Sequence, residues 1–123
     1  TFFFLTKYPL RYADWSWPRN AWMGVSVTDN VYAALAKLEM QRFNERTFVS
    51  VEPLLGQINP ALLAWAGWVI IGAQTGPGAG KHQPKREWVE HIIAIADRYG
   101  VPVFLKDSIT KLWPDLVRRE WPE

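Results

Sequence analysis

Five short runs of β-branched and aromatic residues, separated by helix-like or turn-rich segments, constrain most strongly what this chain can fold into. Each run is five or six residues long, which is typical of strands and too short for most helices. The runs cover residues 2–6, 23–28, 47–52, 68–72 and 102–106. Strands that alternate with helices favour right-handed crossovers and a parallel sheet, so we expect an α/β fold.

Helical spacing of apolar residues fills the longer intervals between these runs. A helix is predicted over residues 29–43, with Thr28 or Asp29 as its N-cap. Its predicted buried face consists of Val31, Leu35, Leu38 and Phe43. A second helix is predicted from Pro84 to Gly100, with an apolar face of Trp88, Ile92, Ile95 and Tyr99. Shorter helical segments are predicted over residues 9–15, 60–65 and 108–119, the last broken or shifted by Pro114.

Alternation within the strands bears on which α/β architecture is formed. Val25 and Val27 oppose small polar residues across the second run, and Val49 and Val51 do the same in the third. A doubly wound sheet carries helices on both faces and needs apolar residues on both, whereas a barrel interior tolerates polar residues near its mouth. We therefore expect parallel β/α units that form a partial TIM-type barrel. An open doubly wound parallel sheet is the alternative.

Length and composition limit the classes of protein that fit. A chain of 123 residues corresponds to one domain, so we treat residues 1–123 as a single partial barrel. Its 49% hydrophobic content excludes intrinsic disorder, and no apolar run approaches the ~20 residues of a membrane span. No signal peptide is visible, which predicts a cytoplasmic protein without membrane partners. The chain starts at Thr1 without Met, which we interpret as truncation or N-terminal processing.

Charge, cysteine and tryptophan content narrow the chemistry further. A net charge of +2 is too small for a nucleic-acid-binding stripe, so nucleic acid is a weaker candidate partner. Without any cysteine the chain cannot supply a thiolate nucleophile or ligands for an iron–sulfur cluster. The eight tryptophans fit a packing role, with Trp15, Trp17 and Trp22 covering a sheet end, better than a stacking platform for bases or sugars.

Polar residues follow most of the predicted strands, at the edge where parallel α/β folds bind their ligands. Each belongs to the end of one strand: Thr6 or Lys7, Ser26 and Thr28, Glu52, Gln74, and Lys106 or Asp107. A glutamate beside a lysine can supply a general base or a positioned charge pair. A structural ion pair that closes the sheet explains Glu52 and Lys106 equally well. These residues form our candidate ligand-binding rim, and no catalytic residue is assigned.

A glycine-rich segment, residues 72–81, follows the fourth run. It lacks the glycine and the Ser or Thr that a Walker A loop requires, because those positions hold Thr75 and His82. It also fails the dinucleotide fingerprint, which would need glycine where Lys81 stands. Gly76 and Gly78 remain candidates for an anion-binding nest at the rim, and a plain flexible connection is the alternative. His82 and His91 have no partner at metal-ligand spacing, so no metal site is predicted.

Several strand ends together resemble a known family. The stretches are Phe2 to Lys7, Trp22 to Val27, Phe48 to Gly56 with the sequence FVSVEPLLG, Val69 to Gly72, Thr75 to Ala79 and Gly100 to Lys106. They resemble phage-type proteins of unknown function that are related to radical-SAM barrels, and the resemblance covers nearly the whole chain. In that family these elements look like the C-terminal portion of a longer protein, whose N-terminal portion carries a three-cysteine motif.

The resemblance implies a radical-SAM-like barrel arc and a rim formed by Glu52, Gln74 and Lys106. This sequence departs from the family in having no cysteine and in having Gln74 where the family usually has glutamate. S-adenosylmethionine and an iron–sulfur cluster are therefore implied only if a separate cysteine-bearing half supplies the cluster. The hypotheses are a fragment of such an enzyme, a non-catalytic binding or assembly module, and a nucleic-acid accessory domain.

An arc of five parallel strands leaves two open edges, predicted at residues 2–6 and 102–106. Such edges, with Phe2, Phe4, Ile70 and Phe104 uncovered on the inner face, predict a homodimer. The competing prediction is a monomer in which residues 109–121 fold back over the open side.

Overall fold

A five-stranded, wholly parallel sheet forms the centre of the protein. The computed structural model describes residues 2–14, 16–40 and 46–122; Trp15 and Phe43 lie outside these ranges. The strands are β1 (Phe2–Thr6), β2 (Ala21–Val27), β3 (Thr47–Val51), β4 (Val69–Ile71) and β5 (Val103–Leu105), in the order β1-β2-β3-β4-β5. The predicted mixed α/β fold with five parallel strands is confirmed, and the sheet is open between β1 and β5.

Within the described ranges the strands are accompanied by three helices and three 3-10 turns. The helices are α1 (Asn30–Met40), α2 (Arg86–Arg98) and α3 (Asp107–Thr110), and the turns are Pro9–Asp14, Pro60–Leu63 and Ala79–Lys81. The last predicted helix is largely wrong, because α3 ends at Thr110 and residues 111–122 are irregular. Pro114, which disfavours helical geometry at Trp113, prevents the helix from resuming there. No helix in the described ranges is long and apolar enough to cross a membrane.

One face of the sheet carries the hydrophobic core. Alternate strand residues point into it and are buried, namely Met23, Val25, Val27, Val49, Val51, Val69, Ile71, Val103 and Leu105. Buried residues of all three helices join the same core, so the helices pack on this face. The alternation predicted for β2 and β3 is confirmed, because the valines of each strand share this helix-covered face.

The opposite face carries an aromatic cluster, which consists of Phe3, Trp22, Phe48, Trp68, Phe104 and Trp121. The ring of Phe3 on β1 lies 5.5 Å from that of Trp68, which immediately precedes β4. Three strand spacings of about 4.8 Å separate these strands along the sheet. The rings meet because the sheet curls, so this face is concave.

Phe48 lies across the second strand of the concave face. Gly24 is its partner in the β2–β3 register, and a Cβ on Gly24 would come within 2.1–2.4 Å of the Phe48 ring. The Phe48 ring therefore occupies the space that a side chain at position 24 would need.

The C-terminal segment covers the outer edge of β5. Arg119 bridges antiparallel to Phe104, the Leu105 amide donates to the Arg118 carbonyl at 2.7 Å, and the Glu120 amide donates to the Val103 carbonyl at 3.0 Å. Trp68 Nε1 donates to the Glu120 carbonyl at 2.8 Å, which carries Trp121 onto the aromatic cluster. The prediction that β5 is an open edge is therefore wrong, and the fold-back of residues 109–121 is observed at this edge.

Two predictions of which side chains share a face are wrong, one for α1 and one for β1. Val31, Leu35 and Leu38 of α1 are 52–67% exposed, whereas Ala33, Ala36 and Met40 face the core. The short alanine side chains let α1 approach the sheet closely, and this turns the larger apolar residues outwards.

The register of β1 with β2 shows that Phe2 and Phe4 do not lie on the inner face of the sheet. Phe2 and Phe4 pair with Ala21 and Met23, on the side of the helices, so the inner-face residue of β1 in the cluster is Phe3.

Candidate functional site

An ion pair between Glu52 and Lys106 lies at the carboxyl edge of the sheet. Glu52 follows β3 and Lys106 follows β5, and Lys106 Nζ donates to Glu52 Oε2 at 2.5 Å. The side chains of Glu52 and Lys106 are 34% and 44% exposed. Because both remain accessible, the pair can exchange its internal contact for contacts to a bound molecule.

Gly72 allows this pair to form across an intervening strand. β4 lies between β3 and β5, and Gly72 directly follows β4. A Cβ at Gly72 would lie 3.0 Å from Glu52 Cγ and Cδ, tighter than normal packing. The Glu52 side chain thus passes over a position that has no side chain to block it. Sequence reasoning gave no site role to Gly72, although a glycine at a strand end signals close approach of another group.

Two cavities flank the Glu52 side chain. The first, of about 300 Å³, is lined by Lys7, Tyr8, Ser26, Thr28, Tyr32, Glu52 and Pro53. The second, of about 340 Å³, is lined by Glu52, Thr75, Phe104, Lys106, Asp107, Ser108 and Arg119. The two linings have Glu52 in common, and we refer to the two cavities together as the groove along the sheet edge.

The structure brings together four of the rim candidates and separates the rest. Ser26, Thr28, Glu52 and Lys106 line the two cavities. Thr6 pairs with Val25 on the helix-covered face, and its Oγ1 accepts a hydrogen bond from the Tyr8 amide at 3.0 Å. Thr6 lines neither of the two cavities, whereas Lys7, the alternative for this strand, lines the first.

The remaining candidates lie beside the groove. The carbonyl oxygen of Gln74 accepts a hydrogen bond from Gln83 Nε2 at 3.1 Å, and Gln74 lines neither of the two cavities. Gly76 and Gly78 are exposed and adopt φ angles of 88° and 79°, which glycine tolerates best. They too are absent from the lining of these cavities.

A second ion pair borders the groove on the side of β5. Arg119 Nη2 donates to Asp107 Oδ1 at 2.5 Å, and the guanidinium lies 5.5 Å from the centre of the Phe104 ring. The hydrogen bond from Arg119 lowers the pKa of the Asp107 carboxyl, which therefore stays ionised. No local sequence pattern marks Arg119 as a site residue, because only the folded-back C-terminal segment brings it to the rim.

Ser108 completes this side of the groove, since its Oγ accepts a hydrogen bond from the Ala73 amide at 2.9 Å. In the described residues no three His, Asp or Glu side chains are grouped as a metal site would require. The chain has no cysteine, so its residues do not fit an iron–sulfur cluster. The groove instead offers carboxylates, an ammonium, a guanidinium and hydroxyls within one strip, which suits a ligand carrying both positive and negative groups.

Comparison with known proteins places the chain in a family. It matches no curated protein and no solved structure. A family described as "Protein of unknown function (DUF5131)" matches residues 1–115, which is most of the chain. The chain therefore belongs to this family of proteins of unknown function.

Proposed function

We propose that this chain is an arc of a (β/α) barrel that binds a small zwitterionic molecule at the carboxyl edge of its sheet. Glu52 and Lys106 are its principal contacts, with Ser26 and Thr28 on one side and Arg119 on the other. The observation that carries the proposal is the position of Glu52, which lines both cavities and pairs with an accessible lysine.

The strand order supports the barrel arc. Strand order in a doubly wound sheet reverses at a switch point, whereas these strands follow one another from β1 to β5 without reversal. Right-handed crossovers along such an order place the helices on one face, where their buried residues lie. The concave, aromatic opposite face corresponds to the interior of a barrel.

The charges of the groove indicate the ligand class. A carboxylate accepts hydrogen bonds from an ammonium or a ribose hydroxyl, and an ammonium or guanidinium binds a carboxylate. S-adenosylmethionine carries all three groups, and it is also the ligand that the resemblance to radical-SAM barrels implies. The relationship to phage-type proteins and to radical-SAM barrels is likewise proposed. Residues 1–123 contain no cysteine to hold a cluster, so we assign these residues a binding role only.

Titration calorimetry with S-adenosylmethionine tests the proposal. We expect binding to the wild-type protein and an approximately tenfold weaker affinity, or about 1.4 kcal/mol, for Glu52→Gln and for Lys106→Met. Glu90→Gln is the matched control, because Glu90 pairs with Arg86 on an exposed face of α2 and should leave affinity unchanged.

Titrations with methionine and with adenosine identify which part of the ligand is recognised. Binding of either part that Glu52→Gln weakens supports the groove. Absence of binding for all three molecules at millimolar concentration, or equal weakening by Glu90→Gln, would overturn the proposal.

A further inference from the structure

Two ion pairs face the second cavity of the groove, and their charges balance. Lys106 Nζ donates to Glu52 Oε2, and Arg119 Nη2 donates to Asp107 Oδ1. All four residues line this cavity of about 340 Å³. The two positive and two negative side chains sum to zero charge, as do the ammonium and carboxylate of an α-amino acid group. Such a group can therefore bind here without leaving a charge uncompensated.

Arg119 is fixed in place before any ligand binds. It bridges antiparallel to Phe104, and the residues on either side of it each make a backbone hydrogen bond to β5. Its guanidinium lies 5.5 Å from the centre of the Phe104 ring, within the range of a cation–π contact, and also donates to Asp107. Because the side chain is already ordered, less conformational entropy is lost when a ligand binds to it.

The guanidinium of Arg119 keeps donors for a ligand. It has five N–H groups, and one of them donates to Asp107. The planar arrangement of these groups matches the two oxygens of a carboxylate, whereas the ammonium of Lys106 acts as a point charge. The Arg119 side chain is 48% exposed, so a carboxylate in the cavity can reach it.

Ser108 and Glu52 supply the remaining contacts. Ser108 Oγ accepts a hydrogen bond from the Ala73 amide, so its own hydrogen is directed to a different acceptor. Ser108 lines the second cavity and can donate to a carboxylate there. Glu52 lies in the linings of both cavities and accepts from an ammonium, as its bond from Lys106 shows. A ligand ammonium held by Glu52 therefore lies where the two linings meet.

We propose that the second cavity is a subsite for an α-amino acid group. Arg119 and Ser108 bind its carboxylate, Glu52 accepts hydrogen bonds from its ammonium, and the remainder of the ligand lies in the first cavity. Asp107 is a positioning residue that acts through Arg119. The subsite rests on the proposed function of the groove and gives the ligand an orientation within it.

Two ligands that differ only in the carboxylate test the subsite by calorimetry. We expect S-adenosylmethionine to bind the wild-type protein about tenfold more tightly than decarboxylated S-adenosylmethionine, because hydrogen bonds to a charged group are lost. Arg119→Gln should remove this preference by weakening the binding of S-adenosylmethionine alone. Arg86→Gln is the matched control, since Arg86 pairs with Asp115 away from the groove, and it should keep the preference.

The outcomes separate the subsite from the groove. Equal affinities of the wild type for both ligands would overturn the subsite and leave ligand binding by the groove intact. A preference that persists in Arg119→Gln would overturn the role of Arg119. Absence of binding for both ligands would overturn the groove and the subsite together.

Nuclear magnetic resonance of the wild-type protein gives a second measurement that does not depend on how the variants fold. Addition of L-methionine should shift the Nε–H signal of Arg119 and leave that of Arg86 in place. The corresponding amine without the carboxylate, 3-(methylthio)propylamine, should leave both signals in place. An unmoved Arg119 signal, or equal shifts of the two arginines, would contradict the subsite.

Two substitutions of Asp107 distinguish positioning from charge. Asp107→Ala and Asp107→Asn both remove a negative charge beside the bound carboxylate, which by electrostatics alone would strengthen the binding of S-adenosylmethionine. Asparagine retains an oxygen that can accept from Arg119, whereas alanine does not. We therefore expect weaker binding than wild type for Asp107→Ala and no loss for Asp107→Asn. Binding by Asp107→Ala as tight as by Asp107→Asn would show that Asp107 does not position Arg119.

Discussion

Gly72 controls whether Glu52 and Lys106 can meet. We expect Gly72→Ala to displace the Glu52 side chain, since the new Cβ would lie 3.0 Å from Glu52 Cγ and Cδ. A double-mutant cycle with Glu52→Gln and Lys106→Met should give a coupling of about 0.2–1 kcal/mol in the wild-type background. In the Gly72→Ala background this coupling should fall towards zero.

Gly56→Ala provides the control for this cycle, because no atom lies within 4 Å of a Cβ built at Gly56. Urea unfolding supplies the free energies. An undiminished coupling in the Gly72→Ala background would show that Glu52 reaches Lys106 by another route.

Tyr12 joins β1 to β2 through its hydroxyl. The ring is 4% exposed, and the hydroxyl oxygen lies 2.9 Å from the Phe4 carbonyl oxygen, 2.5 Å from that of Gly24 and 3.2 Å from the Gly24 amide nitrogen. Tyr12→Phe leaves these buried groups without the hydroxyl, which should cost about 1–2 kcal/mol of unfolding free energy. Tyr99→Phe, at an exposed tyrosine, should cost less than about 0.5 kcal/mol.

The pH dependence of stability should report the ionisation of Tyr12. Burial raises the pKa of Tyr12 to about 12, against a smaller opposing effect of the hydrogen bond with Gly24. In the unfolded chain the phenol ionises near pH 10. Its contribution to stability is therefore fully present below pH 10 and lost as the pH rises to about 12. Urea unfolding between pH 9 and 11 should show a steeper loss for the wild type than for Tyr12→Phe, and equal slopes would contradict this assignment.

At the scale of the element, α1 shows how packing selects between two apolar faces. Ala36 is 2% exposed and lies against the core, so Ala36→Leu should overpack the interface and destabilise the protein by about 1–3 kcal/mol. Leu38, on the exposed face, should tolerate Leu38→Ala within about 0.5 kcal/mol. Thermal unfolding of both variants distinguishes this orientation from the face expected on spacing alone. A larger loss for Leu38→Ala than for Ala36→Leu would restore that expected face.

The C-terminal segment is held by charge as well as by its backbone bonds to β5. Arg118 donates to both Asp97 and Glu120, and the Glu120 carboxylate also accepts from the Val103 amide at 2.9 Å. These hydrogen bonds lower the pKa values of Asp97 and Glu120. The segment that covers β5 is thereby linked to α2 and to the sheet, although its sequence carries no strand pattern.

At the scale of the whole molecule, the aromatic cluster connects the first strand to the C-terminal segment. Phe3 and Trp121 lie 6.4 Å apart between ring centres. A double-mutant cycle of Phe3→Ala and Trp121→Ala should give a coupling of about 0.5–1.5 kcal/mol. Trp88, on α2 outside the cluster, serves as control, and Phe3→Ala with Trp88→Ala should be additive within about 0.5 kcal/mol. Additivity of the first pair would mean that the curl of the sheet brings no energetic link between its two ends.

Sequence patterns were sufficient for the strands and for the edge at which Glu52 and Lys106 meet. Alternation in β2 and β3 reports which strand residues share a face, and the ends of parallel strands fall on one edge whatever their neighbours are. Both inferences depend on a few adjacent residues, so they need no knowledge of distant contacts. The family resemblance extended the expectation to a barrel and to a ligand, which remain proposals.

Other features depend on residues far apart in the chain and were decided only by the tertiary structure. The register with β2 turned Thr6 away from the rim, and the fit of Ala33 and Ala36 against the sheet turned Leu35 and Leu38 outwards. Sheet curl brought Phe3 to Trp68, and the fold-back of the C-terminal segment brought Arg119 to the groove. In each case residues distant in sequence, and not the local pattern, determined which side chains pack together.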